Sequence, residues 1–486
     1  MFEKVAERYR EMPVKIKASF WFLLCSFLQK GISVITTPIF TRLLSTAEYG
    51  QYNVFNSWLS IATIFITLNL SYGVYTQGLI KFEDEQNVFS SSLQGLTLVL
   101  VIGWTIIYAL FHEFWNQLFS LTTIQMLLML TMIWTTAVFG FWAAEQRMFY
   151  RYQKLVVLTV IVSLANPVIS ILFVLLSNDK VTARILGLAL VELVAYTGLF
   201  FQQVKRGKKI FSAKFWKYAV KFNLPLIPHY LSQTVLSNAD RIMINDMVGV
   251  EEAGIYSLAY SISLIMTLFN TALMQTINPW FYQKIKNDKI QDLASVAYTT
   301  LVMIAVVNIA VIAFAPEAVA IFAPKEYYDA IYVIPPVAMS VFFMYSYDLF
   351  AKLAFYYEKT GFVMIASVVG AALNVLLNYI FIGKYGYIAA GYTTLVCYIV
   401  YAMGHYIFMN RVCDQKCGGA RPYELRCILR ISFGFLLIGF VFGLTYCSIA
   451  VRYILILVMF LIIIVQKRKI WSMIARLIEK RSNGGT

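Results

Sequence analysis

The stretch "RLLSTAEYGQY", residues 42–52, separates two long apolar runs, and a second version of it, "DMVGVEEAGIY", occupies residues 246–256. Glu48, Gly50 and Tyr52 recur as Glu252, Gly254 and Tyr256, each 204 positions later. A plain polar corner has no reason to be written twice, so the pair points to a duplicated architecture. The same offset runs without a gap from Lys17 to Thr67 and also aligns Lys17 with Lys221, Gln29 with Gln233, Ser33 with Ser237 and Ser57 with Ser261. All six corner residues read as structural, with Gly50 and Gly254 permitting the bend into the next helix.

The surrounding composition sets the solvent. With 60% hydrophobic and 13% charged residues over 486 positions, the chain exceeds the apolar share of about 45–50% usual for water-soluble domains. Its mean hydropathy is +0.70. A helix needs about 20 mostly apolar residues to cross hydrocarbon, where every backbone amide must bond within its own segment. About fourteen such runs can be placed, from 18–41 to the short, closely spaced 428–449 and 451–466. The first is long and carries Lys30 and Pro38, so it reads as a retained span and not a cleaved signal peptide.

Basic residues are retained on the cytoplasmic side of short loops. With the N-terminus inside, only Arg42, Lys180, Arg184, Arg241, Lys325, Lys384 and Arg452 fall on the outward side; Lys30 lies in the first run and the remainder of the 40 Lys and Arg lie inside. Both termini are therefore expected in the cytoplasm. The formal charge of +15 follows from this asymmetry and from contact with anionic headgroups, which removes any need for a nucleic-acid partner.

Six spans separate equivalent points of the repeat, and an even number makes the repeat parallel. Parallel repeats in transporters place a substrate cavity where the copies meet. The expected fold is an all-α polytopic membrane protein: two parallel six-helix lobes around a central cavity plus two C-terminal helices. The divisions are a cytoplasmic segment 1–17, an N-lobe 18–204 and a basic cytoplasmic linker 205–219. They continue with a C-lobe 220–410, a cytoplasmic loop 411–427, the last two spans within 428–466 and an amphipathic cytoplasmic tail 467–486. In that tail Trp471, Ile474, Leu477 and Ile478 share one side, a pattern suited to the inner leaflet.

The corner "RLLSTAEYGQY" after a span beginning within "KASFWFLLCSFLQKGISVITTPIFTRLL", its counterpart "MVGVEEAGIYSLAYSI" and the loop "YYEKTG" together carry a likeness. The chain resembles the polysaccharide flippases of the multidrug/oligosaccharidyl-lipid/polysaccharide exporter superfamily over nearly its whole length. The resemblance implies twelve or fourteen spans in two lobes. It also implies transfer of undecaprenyl-pyrophosphate-linked oligosaccharide repeat units, as for O-antigen or capsule, across the bacterial cytoplasmic membrane by alternating access. The implied partners are the lipid-linked oligosaccharide, membrane lipids and the polysaccharide polymerase and chain-length machinery.

Ionisable residues within spans are costly and mark cavities or partners. A pyrophosphate offers several anionic oxygens, so its cavity calls for Lys or Arg. Lys30 stands mid-span with no acid three or four residues away and is the first substrate-binding candidate. Arg42 and Arg241 near the outward mouths, and Lys352 in the opposite lobe, follow. Glu192, Asp240 and Asp348 read either as carriers of a coupling H+ or Na+ or as salt-bridge partners. Asp348 and Lys352, four apart on one helical face, are placed to neutralise each other.

His229 and His405 read as packed histidines. Pro225, Pro228, Pro279 and the pair Pro335 and Pro336 are candidate hinges or span entries. The aromatic run "FFMYSYDLFAKLAFYY" suits either sugar stacking or an interfacial belt. Six scattered cysteines imply neither disulfides nor a metal. No catalytic residues and no cofactor beyond a coupling ion are expected, since no Walker A, HExxH or GxSxG constellation is present and outward loops are short. The competing readings are a lipid-linked peptidoglycan precursor flippase, a cation-coupled multidrug exporter of the same superfamily and, from another class, a membrane polymerase or ligase.

Overall fold

Residues 12–465 are described by the computed structural model, in which helix accounts for 89% of the fold and no strand occurs among them. The expected amphipathic tail, 467–486, and the first eleven residues of the expected cytoplasmic segment lie outside the described residues.

The repeated corner shows how the sequence sets helix ends. Helix α1 spans Val14–Leu43 and α2 spans Thr46–Thr67. At the N-cap of α2 the Ser45 side chain accepts from the Glu48 N–H, while Glu48 Oε2 accepts from the Ser45 N–H at 2.7 Å, a reciprocal capping box. Two of the helix's orphan donors are thereby satisfied. In the second copy α10, Ile227–Met247, ends 204 positions after α1, and α11, Val250–Leu264, starts 204 positions after α2. Its N-cap is Gly249, and the Glu252 carboxylate folds back so closely that a Cβ on Gly249 would lie 2.4 Å from Oε2. The repeated glutamates are thus first-turn residues closing over the N-cap. The repeated glycines correct the sequence reading. Gly50 and Gly254 are buried inside α2 and α11, beyond the bend. Each costs its helix about 1 kcal/mol relative to Ala, which close packing must offset.

The remaining helices follow in order. They are α3 Val74–Lys81, α4 Gln86–Leu110, α5 His112–Phe119, α6 Thr123–Met148, α7 Tyr152–Leu176, α8 Lys180–Gly207 and α9 Ala213–Asn223. Beyond α11 come α12 Met266–Lys286, α13 Leu293–Ala313, α14 Ala315–Phe322 and α15 Ile334–Tyr356, then α16 Thr360–Tyr385, α17 Ile388–Lys416, α18 Leu425–Leu444 and α19 Ile449–Val465. Among the described residues, eleven helical stretches are long and apolar enough to cross a membrane, α11 and α12 counting together as one of them. Three other expected spans complete the fourteen: α2 and α10, which are of spanning length but richer in polar residues, and the shorter α19.

By packing, the chain divides into two compact units with the boundary between Ile242 and Met243. In the first, α8 is the organiser, packing along α7, α6 and α4, and α1 lies along α7. Gly187 makes the α7–α8 contact possible, because a Cβ there would approach the Ser170 Cα to 2.7 Å. The basic segment 205–219 is folded here, not an extended tether. Ser91 Oγ donates to the Lys209 carbonyl at 2.7 Å, Trp216 Nε1 donates to the Ser92 carbonyl at 2.9 Å, and Phe215 is buried against Phe82 and Phe89.

In the second unit α15 is the core helix, packed by α17, α13 and α11. Of its spanning window 83% is buried, against 11% for α1, so most of its aromatic run serves packing, while Phe355 near its end is exposed. Phe342 and Tyr345 are buried, and Tyr347 meets Tyr401 edge-to-face at 4.6 Å and His405 in a tilted contact at 5.6 Å. His405 is packed among aromatic rings, as expected. Pro335 and Pro336 lie in the first turn of α15, where a missing N–H removes no intrahelical bond, so they start the helix and do not interrupt it. Ile265, between α11 and α12, keeps helical backbone angles, so the two helices run on as one span, and Pro279 lies inside α12. Buried Asn374, Asn378, Thr393 and Thr394 hydrogen-bond α16 to α17, each interhelical bond contributing about 0.6 kcal/mol in a bilayer. Arg452 of α19 pairs with Glu317 of α14.

Candidate functional site

Each candidate charge can be judged by what answers it. Lys30 sits near the middle of α1, exposed, and makes no ion pair or hydrogen bond among the described residues. The apolar sequence around it offers no partner by helical spacing. An ammonium this far along a span cannot rest in hydrocarbon without a large cost, so its surroundings must contain water or an anion.

The other candidate cations are engaged differently. Arg42, in the last turn of α1, donates from Nη1 to the Pro38 carbonyl at 2.8 Å. There it satisfies a helix C-terminus where positive charge is favoured. Arg241 donates to the Ser237 carbonyl at 3.1 Å and approaches Asn238 Oδ1 at 3.4 Å. Lys352 is committed: its Nζ lies 2.7 Å from Asp348 Oδ1, and its side chain is 8% exposed against 36% for Asp348. The structure therefore brings Asp348 and Lys352 together as a neutral pair.

Among the acids, Glu192 of α8 accepts from Thr135 Oγ1 at 3.0 Å and lies 3.4 Å from Thr136 Oγ1, both on α6, and makes no ion pair among the described residues. Asp240 is buried.

Two arrangements escaped the sequence reading. At the first corner Arg184 of α8 lies between two rings, its guanidinium carbon 3.7 Å from the Phe40 centroid and 3.4 Å from that of Tyr52. Lys180 Nζ donates to the Leu43 carbonyl at 3.0 Å, capping α1. Both residues looked like topology signals only, because the groups they meet are more than 130 positions away. At the opposite end, Glu145 is 5% exposed and receives Arg206 through two bonds of 2.8 and 3.1 Å. Gln203 bridges Glu145 at 2.8 Å and Gln94 at 2.6 Å. The available signal was the pair of glutamines, Gln94 and Gln203, set in or beside apolar runs. Beside this network lies a cavity of about 520 Å³ bounded by α1, α6, α7 and α8.

The family model described as polysaccharide biosynthesis protein matches residues 16–285, more than half of the chain. The chain belongs to that family. With it comes membership of the multidrug/oligosaccharidyl-lipid/polysaccharide exporter superfamily, and a second model, MatE, matches residues 225–380 of this polysaccharide biosynthesis protein. A relative in Haemophilus influenzae, "Lsg locus putative protein 1", is 23% identical over 380 residues, covering 74% of this chain and 89% of its own. Among solved structures, the lipid II flippase MurJ in an inward closed conformation superposes with a TM-score of 0.63 at 15% identity, covering 90% of this chain and 100% of that one. An inward-facing multidrug resistance MATE family transporter gives 0.59 at 13% identity, covering 84% and 99%. These likenesses establish the fold. The family and its fold neighbours are transporters and flippases, not enzymes, and this member is a multi-pass membrane protein.

Proposed function

We propose that this polysaccharide biosynthesis protein flips undecaprenyl-pyrophosphate-linked oligosaccharide repeat units across the bacterial cytoplasmic membrane, with both termini in the cytoplasm. The observation that carries the reading is Lys30, an exposed cation in mid-span without an acid among the described residues. A diphosphate supplies the missing counter-charge, and the polyprenyl tail stays in lipid while the head moves by alternating access. Arg42 and Arg241 are secondary contacts in this scheme. Lys352 is a weaker candidate than its sequence position suggests, because Asp348 already neutralises it. A multidrug exporter of organic cations would be hindered by an unanswered lysine in the same place.

Coupling to H+ or Na+ falls first to Glu192, which makes no ion pair among the described residues, since Asp348 is engaged. A polymerase acting with the chain-length machinery would take the product on the far side. The deciding experiment replaces Lys30 with Ala and with Arg in a strain whose surface polymer reports export. Loss in Lys30→Ala with retention in Lys30→Arg, at equal membrane abundance, supports the reading. Full export by Lys30→Ala removes Lys30 from it.

A further inference from the structure

The cavity beside Glu145 has a composition that transport through Lys30 leaves unexplained. It is lined by Arg151, Lys154 and Arg206 together with Trp142, Tyr150 and Tyr152. One carboxylate stands against three cations there. Glu145 holds Arg206 at 2.8 Å, lies 3.9 Å from Arg151, and does not reach Lys154, which is exposed and makes no ion pair among the described residues. Among the described residues the site therefore keeps an excess of about two positive charges, with the Arg151 side chain 58% exposed.

Its place along the helices is equally specific. It forms where α6 ends and α7 begins, beside the start of α1 and the end of α8, so it lies where spans leave hydrocarbon. Tyr and Trp concentrate at that depth because one side of each ring is apolar and the other polar. Trp21 stacks on Tyr152 with interplanar angle 5°.

The backbone holds the basic residues in place at some cost. Tyr150 adopts φ +54°, the left-handed region that L-residues other than Gly, Asn and Asp avoid by roughly 1–2 kcal/mol. Its N–H bonds to the Arg147 carbonyl at 3.2 Å and the Arg151 N–H to the Gln146 carbonyl at 2.8 Å, the paired bonds of a Schellman stop. The stop sets Tyr150 on the rim and begins α7 with Arg151 and Lys154 at the cavity.

We infer that this cavity binds the phosphate or diphosphate group of an anionic membrane lipid at the headgroup layer. Guanidinium and ammonium donors match phosphate oxygens, and the aromatic rim seats the glycerol or first prenyl carbons. The site is distinct from Lys30. Two lipids share this chemistry, a resident anionic phospholipid and a polyprenyl diphosphate carrier.

Calorimetric titration of the purified full-length chain in detergent separates them. The ligands are dihexanoyl phosphatidylglycerol, farnesyl diphosphate and, as control, dihexanoyl phosphatidylcholine. Preference for phosphatidylglycerol identifies the resident lipid, and preference for farnesyl diphosphate identifies the carrier; either supports the site. Each charge-assisted bond is worth roughly a tenfold change in affinity, so R151Q/K154Q should weaken the preferred anion by about a hundredfold, and R151K/K154R should retain it. Both side chains are exposed, so the variant fold is preserved. The loss caused by R151Q/K154Q should persist in a K30A background, which separates this site from any diphosphate held at Lys30. Anionic ligands binding no tighter than phosphatidylcholine, or an undiminished R151Q/K154Q, overturns the site.

Discussion

The Arg184 guanidinium carbon stands 3.4 Å from the centre of the Tyr52 ring, joining the fifth residue of α8 to the first corner of the chain. Phe40 covers the opposite side at 3.7 Å, so α1, α2 and α8 meet at one buried cation. A desolvated cation between aromatic faces contributes about 2 kcal/mol. Replacing Arg184 with Leu should lower stability by about that amount, read as an earlier melting transition in detergent. Replacement of Tyr52 by Leu should cost less when Arg184 is already gone than when it is present; strictly additive losses would refute the coupling.

The capping box gives a smaller, local prediction. Ser45→Ala removes the acceptor for the Glu48 N–H, at about 1 kcal/mol for a lost N-cap. Ser45→Gly should cost only a few tenths, as the natural Gly249 of the second copy suggests. Hydrogen exchange at the first turn of α2 would report the difference.

The Asp348 and Lys352 pair distinguishes structure from cargo binding. Asp348→Ala leaves a buried ammonium with no partner, a loss of about 3 kcal/mol, whereas D348A/K352M should recover most of it. If export persists in the double variant, Lys352 does not hold substrate. Export lost at normal abundance would restore it as a contact.

The Glu145 network predicts unequal outcomes for similar substitutions. Glu145→Gln keeps the volume but strands Arg206 and disturbs Gln203, so it should destabilise the first unit by about 3 kcal/mol. Glu145→Asp, too short to keep both bonds, should fall between it and the parent. Protease sensitivity at the α6–α7 junction offers the readout.

Removing Arg452, as Arg452→Ala, should loosen α19 by leaving Glu317 without its cation. The test is limited proteolysis between α18 and α19; unchanged cleavage would show that lipid-facing packing alone holds the last helix.

What the sequence by itself determined was the solvent, the helical class and the duplication. Apolar runs such as those of α4 and α7 sum residue by residue, and the 204-residue offset places two helix ends and two helix starts in register without any knowledge of their neighbours. The role of Glu48 was also near at hand, since Ser45 and Glu48 are three apart. Only the tertiary structure decided which charges are answered. Nothing local shows that Arg184 meets Tyr52, that Gln94 reaches Glu145 through Gln203, or that Gly50 lies inside a helix while Lys352 is spent on Asp348 and Lys30 is not. Coulombic and ring contacts depend on distance through space, and in a bundle that distance is set by which helices pack together, a property that no single segment carries.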